Sequence, residues 1–222
     1  MSVRHPNETG IVVIGLGRFG SRLAESLSRL GHEVLAVDRD PVRVQHWSGE
    51  LDRVVQADST EEEVLRQLGL ADFRRVVVAI GASLEASVLT VLALAELGIE
   101  QIWARATSEK HAKILHSVGA HHVVFPEAET GERVAHLIVS RMLDFIEFDD
   151  DFAIAKIRVP APLVGRSLRD VAPQDRFGVM VVGAKRSGQP FRYAGPDTVL
   201  TPDSVLIVEG GITQVQRFSA LG

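Results

Sequence analysis

The chain has 222 residues, 45% of them hydrophobic and 24% charged, with a formal net charge of −5. That length suits one large domain, or a medium domain followed by a small one. The mild acidity excludes the basic face that nucleic-acid binding requires. The absence of cysteine excludes disulfides, thiolate metal sites and cysteine nucleophiles.

A helix that crosses a bilayer needs about 20 mostly apolar residues, and the longest candidate, Val88–Leu97, is half that length. Met1–Thr9 carries Arg4, His5, Pro6 and Glu8 before a strand begins, which is not the pattern of a secretory signal. The expected location is the cytosol.

In chain order, Ile11–Gly15 is a continuous apolar run ending in glycine, the mark of a buried parallel strand. Ser21–Leu30 has Leu23, Leu27 and Leu30 at helical spacing. Glu33–Asp38 reads as the second strand, and Pro41 suits the first turn of the next helix. Arg53–Ala57 is the third strand, after which Ser59 or Thr60 is expected to cap a helix that opens with Glu61, Glu62 and Glu63. Arg75–Ile80 and Gln101–Ala106 are the fourth and fifth strands. Helices are expected over Ser83–Leu97 and Ser108–Val118, closed by Gly98 and Gly119, and His122–Phe125 is a short sixth strand. Strands and helices in this alternation predict an α/β fold with a doubly wound parallel sheet.

After Pro126 the pattern changes. Thr130–Phe148 reads as one long helix with Val134, Leu137, Ile138, Met142, Leu143 and Phe145 along one side, followed by the acidic trio Asp149–Asp151. Phe152–Val159 alternates apolar and polar like an antiparallel strand with one wet face. Val179–Lys185 and Ser204–Glu209 read as further strands between the turn-rich stretches Arg186–Pro190 and Gly195–Pro202. The expected division is a nucleotide-binding domain over 1–126, a helical linker over 127–150 and a small α+β C-terminal lobe over 151–222. So small a lobe has barely enough core to stand alone, and is expected to pair with a copy of itself.

Gly15-Leu16-Gly17-Arg18-Phe19-Gly20 matches GxGxxG after a buried strand and at the start of a helix. In that setting Gly15 permits the tight turn, Gly17 lets a phosphate approach the backbone, and Gly20 lets helix pack on strand. The helix start offers free N–H groups to an anion. Asp38 ends the second strand 23 residues after Gly15, close to the offset of about 20 expected for a carboxylate on a ribose hydroxyl.

Arg18 is placed either to reach a terminal phosphate, in its own site or a neighbour's, or to stand as a solvated first-turn arginine. Arg105 closes the fifth strand, beside phosphates or as a surface charge. Asp58 and Ser59 face the base or cap the next helix. Glu127 is a cation ligand at a subunit interface or an ordinary first-turn carboxylate. Adjacent strand residues point to opposite faces, which argues against His121 and His122 sharing one ion. His111 and His116, five apart, miss the spacing that pairs helix ligands. An oxidoreductase is the rival reading of the same cofactor half. It lacks a Tyr-xxx-Lys pair, since the single tyrosine is Tyr193.

The sequence resembles the RCK (TrkA-N/TrkA-C) regulatory subunits of Ktr/Trk potassium uptake systems, closest to the single-copy Ktr type. The resemblance is carried by residues 15–20, Val37-Asp38-Arg39-Asp40-Pro41, Ala57-Asp58-Ser59-Thr60 and Phe125-Pro126-Glu127. In the tail it is carried by Leu163-Val164-Gly165-Arg166-Ser167-Leu168 and the run Thr201–Gly210. It implies a non-enzymatic gating subunit that binds ATP, ADP or NAD(H) in the cleft. Such subunits form dimers that assemble into a ring, an octamer, on the cytosolic face of an integral-membrane potassium-translocating subunit. On this resemblance Gly15, Gly17, Phe19 and Gly20 form the phosphate turn, and Asp38 with Arg39 and Asp40 lies at the ribose. Asp58 and Ser59 lie by the base, Arg18 and Arg105 face phosphates, and Glu127 sits at an inter-subunit cation site for magnesium or another cation. Asp40 falls where relatives often have asparagine, which bears on the choice of nucleotide. The C-terminal lobe of some relatives binds cyclic di-AMP, and here Met180 stands where an amide would be expected.

Overall fold

The computed structural model describes residues 7–148, 151–186 and 188–221, and the chain divides into two compact units that meet between Ala128 and Glu129. Asp149 and Asp150 of the acidic trio, Ser187 in the turn before Pro190 and the leading residues 1–6 lie outside the described residues.

The first unit alternates strand and helix: β1 (Asn7–Ile14), α1 (Arg18–Arg29), β2 (Val34–Asp38), α2 (Pro41–Trp47), β3 (Arg53–Gln56), α3 (Glu62–Gln67), β4 (Phe73–Val78), α4 (Leu84–Glu96), β5 (Gln101–Arg105), α5 (Glu109–Ser117) and β6 (His122–Val124). The six strands form one parallel sheet in the order β3-β2-β1-β4-β5-β6. Every residue of β2 is buried, as a strand covered on both faces requires. One face packs Leu65, Val91, Leu94 and Leu115 of α3, α4 and α5 against Val12, Ile14, Val76, Val78 and Ile102. The other face packs Ala24 of α1 and Leu51 against Val13, Val34 and Ala36.

Chain direction across the sheet reverses between β1 and β4, and ligands of doubly wound sheets bind in the crevice outside the strand ends at such a reversal. Ser83 and Ser108 cap α4 and α5, each accepting a backbone N–H of its helix, from Ala86 and His111 respectively. The cap expected for α3 is not made by Ser59 or Thr60. Glu61 occupies the cap position, with no side-chain capping bond. The Ser59 and Thr90 hydroxyls instead share a 2.9 Å hydrogen bond, and Thr60 turns back to Asp58.

The second unit begins within α6 (Pro126–Val139) and continues with β7 (Met142–Phe148), β8 (Phe152–Arg158), α7 (Leu168–Val171), α8 (Pro173–Phe177), β9 (Val179–Arg186), β10 (Arg192–Tyr193), β11 (Ser204–Gly211) and α9 (Ile212–Ser219). Its strands form an antiparallel sheet ordered β10-β9-β11-β8-β7. The long helix expected through Phe148 therefore ends nine residues early, and its last part is an edge strand. Two local causes act at Ser140. Its hydroxyl donates to the His136 carbonyl at 2.6 Å and accepts from the Met142 amide at 3.3 Å, which turns the chain out of the helix. Phe145, Ile146 and Phe148 then suit a pleated surface, and pairing such as Ile146 with Ile154 and Phe148 with Phe152 fixes them there. The core of this unit joins Met142, Ala155, Ile157, Val179, Leu206 and Val208 of the sheet to Val215 and Phe218 of α9.

Candidate functional site

A cleft of about 480 Å³ opens at the carboxyl ends of β1, β2, β4 and β5. Its floor is the glycine turn. Gly15 adopts φ +98°, a conformation that residues with a Cβ avoid, and its amide donates to the Val37 carbonyl at 2.7 Å. Gly17 stands at the start of α1, no side chain caps that helix, and a Cβ at Gly17 would meet no atom nearer than 4.0 Å. The positive end of α1 is thus open to the cleft, which is what an anionic ligand needs. Gly20 has the opposite character. A Cβ there would lie 1.9 Å from the Gly15 carbonyl oxygen and 2.8 Å from the Ala79 Cβ.

Asp38 is only 6% exposed and anchors the turn. One carboxylate oxygen accepts the Leu16 amide at 2.6 Å and faces an Arg43 guanidinium nitrogen at 3.3 Å. The other oxygen accepts the Asp40 amide at 2.8 Å. Asp40 in turn caps α2 through the Val42 amide at 2.9 Å and pairs with Arg43 at 3.5 Å. Arg39 is exposed beside them, and its carbonyl accepts from the Gln56 side chain at 3.4 Å.

On the β3 side, Asp58 accepts both the amide and the hydroxyl of Thr60, at 3.0 and 2.7 Å. Those hydrogen bonds, first the amide and then the hydroxyl, hold its carboxyl below the usual carboxylate range. Ser59 is buried against Thr90. Across the cleft Arg105 forks onto Glu127, and that hydrogen bonding lowers the Glu127 carboxyl, with a smaller pull from Arg18. His111 is buried behind this rim, and burial first, then the charge of Arg105, pushes its imidazole below the usual histidine value. Arg18 is exposed on the cleft wall and makes no hydrogen bond or ion pair among the described residues.

The structure therefore brings Gly15, Gly17, Arg18, Phe19, Asp38, Arg39, Asp40, Asp58, Ser59, Arg105 and Glu127 to one cleft, with Gly20 packed beneath it. The sequence reading missed Arg43, Thr60 and the stretch Gly81–Ser83, which also line it. Gly81 carried a signal: a glycine directly beyond a buried strand, at the height of the phosphate turn. Arg43 carried a weaker one, as the basic residue in the helix that Asp40 caps. Glu127 is a single carboxylate facing a guanidinium, and no cluster of three His, Asp or Glu suited to a metal exists among the described residues. A divalent ion at Glu127 would need further ligands from another copy of the chain. His121 and His122 go separate ways, one accepting the Ile102 amide and the other stacked on Trp103.

The fold and this cleft define a nucleotide-binding α/β unit joined to a small antiparallel lobe. The TrkA-N domain family matches residues 11–126 and the TrkA-C domain family residues 152–221. The chain is 38% identical to the Ktr system potassium uptake protein C of Bacillus subtilis over 207 residues, covering 93% of this chain and 94% of that one. It belongs to the TrkA-N/TrkA-C family, in its single-copy Ktr form. Among solved structures, the GsuK channel bound to NAD superimposes with a TM-score of 0.65 at 21% identity, covering 97% of this chain and 39% of that one. GsuK bound to ADP matches 61% of this chain and 35% of that one at 28% identity, with a TM-score of 0.50. The chain thus spans nearly all of its curated relative but well under half of the solved channel chains. No helix among the described residues is long and apolar enough to cross a membrane.

Proposed function

We propose that the chain is a nucleotide-sensing gating subunit of a potassium uptake system, acting on the inner face of the membrane through a separate potassium-translocating partner. ATP, ADP or NAD(H) docks with its phosphates at the start of α1 and is exchanged there, with no bond made or broken. The observation that carries this reading is the uncapped α1 N-terminus, backed by buried Asp38 and faced by exposed Arg18. Near-full-length similarity to a potassium uptake protein and the ADP complex of GsuK support the choice of partner and ligand class. Dimers of the chain, assembled into an octameric ring, would convert nucleotide identity into ring shape. A ligand biases such an equilibrium only by its difference in affinity for the two shapes. The reading extends neither to magnesium at Glu127 nor to cyclic di-AMP in the C-terminal lobe, where Met180 is a half-exposed apolar side chain.

The test is calorimetric titration of the purified chain with ATP, ADP, NAD and NADH, alongside potassium flux through the reconstituted partner. Arg18→Ala should weaken ATP more than adenosine, by roughly ten- to a hundredfold if Arg18 makes one charge-assisted phosphate contact. Equal ATP affinity in wild type and variant would remove Arg18 from the phosphate site. Failure of wild type to bind any adenine nucleotide would end the reading.

A further inference from the structure

Arg105 leaves the end of β5 and sets one end of its guanidinium against Gly81. A Cβ at Gly81 would fall 1.6 Å from one guanidinium nitrogen and 2.5 Å from the central carbon, so that place exists only because residue 81 is glycine. On its other side the guanidinium donates to both carboxylate oxygens of Glu127, through Nε at 3.3 Å and through Nη2. The two partners differ in exposure, with 17% of the Arg105 side chain and 59% of the Glu127 side chain open to solvent. A well-seated cation on the cleft wall is therefore held by a carboxylate that stands mostly in water. A second arginine of the cleft, Arg43, is likewise engaged by Asp38 and Asp40. The difference is that Asp38 is buried and held by the amides of Leu16 and Asp40, whereas Glu127 is mostly exposed and its one backbone bond is to its own residue.

We infer that Glu127 is a built-in competitor for ligand phosphate. It engages the Arg105 guanidinium, and a phosphate must displace it to gain that contact. This rests on the nucleotide reading given above. Two oxygens of a carboxylate meet the arginine fork as two oxygens of a phosphate would, so the exchange needs no movement of β5. The effect scales with ligand charge: Glu127 opposes ATP most, ADP less, and an uncharged nucleoside not at all. It offsets part of what each added phosphate gains, and so narrows the affinity gap between ligands that differ by one phosphate. Displacement also releases a first-turn carboxylate of α6, so the start of that helix differs between the free and liganded states.

The experiment is calorimetry on the intact chain in buffer containing a chelator, with ATP, ADP and adenosine as probes. Glu127→Gln keeps the side-chain shape and removes the charge. It should tighten ATP about three- to tenfold, ADP by less, and leave adenosine unchanged, the range expected of a half-exposed ion pair. In an Arg105→Gln background the same change should give no gain. Weaker or unchanged ATP binding by Glu127→Gln, while wild type binds, would overturn the inference and leave the nucleotide site standing. An equal gain for adenosine would overturn it too, because the effect would then be steric. If wild type bound no nucleotide, the site reading and this inference would fall together.

Discussion

Replacing Gly20 by alanine should cost the first unit about 3 kcal/mol, whereas the same change at Gly81 should leave it folded but weaken its hold on phosphate. The two glycines follow strands of the same sheet, Gly20 within the first turn of α1 after β1 and Gly81 in the loop after β4. What a new methyl would meet differs. At Gly20 it meets the Gly15 carbonyl at 1.9 Å and the Ala79 Cβ at 2.8 Å, each directly after the end of a strand, β1 and β4 respectively. Interiors close-packed to this degree do not give way by an ångström without moving the strands. At Gly81 the methyl meets the tip of Arg105, a flexible side chain that can rotate off. Thermal unfolding followed by circular dichroism should show Gly20→Ala melting roughly 6–12 °C below wild type. Gly81→Ala should melt within about 3 °C of wild type while its ATP affinity falls roughly tenfold, the worth of one charge-assisted hydrogen bond. Equal loss of stability in both variants would show that Gly81 is held by the backbone and not by Arg105.

The contrast marks where sequence reasoning reaches and where it stops. The parallel sheet was legible because Ile11–Ile14 and Val34–Val37 are apolar throughout, and the punctuation of Pro41, Gly98 and Gly119 falls where helices begin or end. The glycine turn was legible because each of its three glycines has a separate steric reason. The Met142–Phe148 strand was not, because its apolar positions fit either period over so short a run. Pairing with β8, a contact that no local pattern announces, decides it. Ser59 and Thr60 looked like caps because hydroxyls beside an acidic first turn usually are. Burial against Thr90 and attachment to Asp58 claimed them instead. Arg43 and Gly81 were missed for a related reason. Their importance lies in partners five and 24 positions away, Asp38 and Arg105, and a linear motif does not encode such distances.

These pairings bear on how one cleft could tell nucleotides apart. Four arginines and four carboxylates line it, so its charge is balanced as a whole. Discrimination must come from which of them can exchange partners. Asp38 and Asp58 are fixed by backbone amides, and Asp40 by its role as a cap. Arg18 and Arg39 are exposed, and Glu127 is exposed with its hydrogen bonds to Arg105 and to its own backbone. On the proposed reading, a phosphate added to the ligand would gain the Arg18 contact and meet the opposition of Glu127, so the two effects would act in opposite senses. Coupling of about one to three kilocalories per mole, the usual size for allosteric linkage, would then rest on the Arg18 contact, which is worth about 1.5–3 kcal/mol if charge-assisted, less what Glu127 offsets.

Asp38→Asn separates two roles that the motif alone assigns to one residue. In a dinucleotide site the carboxylate at the end of β2 is expected to meet a ribose hydroxyl. Here it also joins the Leu16 and Asp40 amides, one on each oxygen, and so fixes the phosphate turn against α2. Asparagine has a single acceptor oxygen, so its NH2 would face one of those two amides. Leaving a buried donor without a partner costs about 1–3 kcal/mol, and the turn would relax to relieve it. Nucleotide affinity should then fall at least about tenfold, accompanied by a measurable loss of stability. Inorganic pyrophosphate, which has no ribose, distinguishes the causes. If Asp38 mainly shapes the turn, pyrophosphate binding should weaken in step with ATP. Pyrophosphate binding equal to wild type, with ATP weakened, would confine Asp38 to the ribose and leave the turn to hold its shape through the Gly15–Val37 hydrogen bond alone.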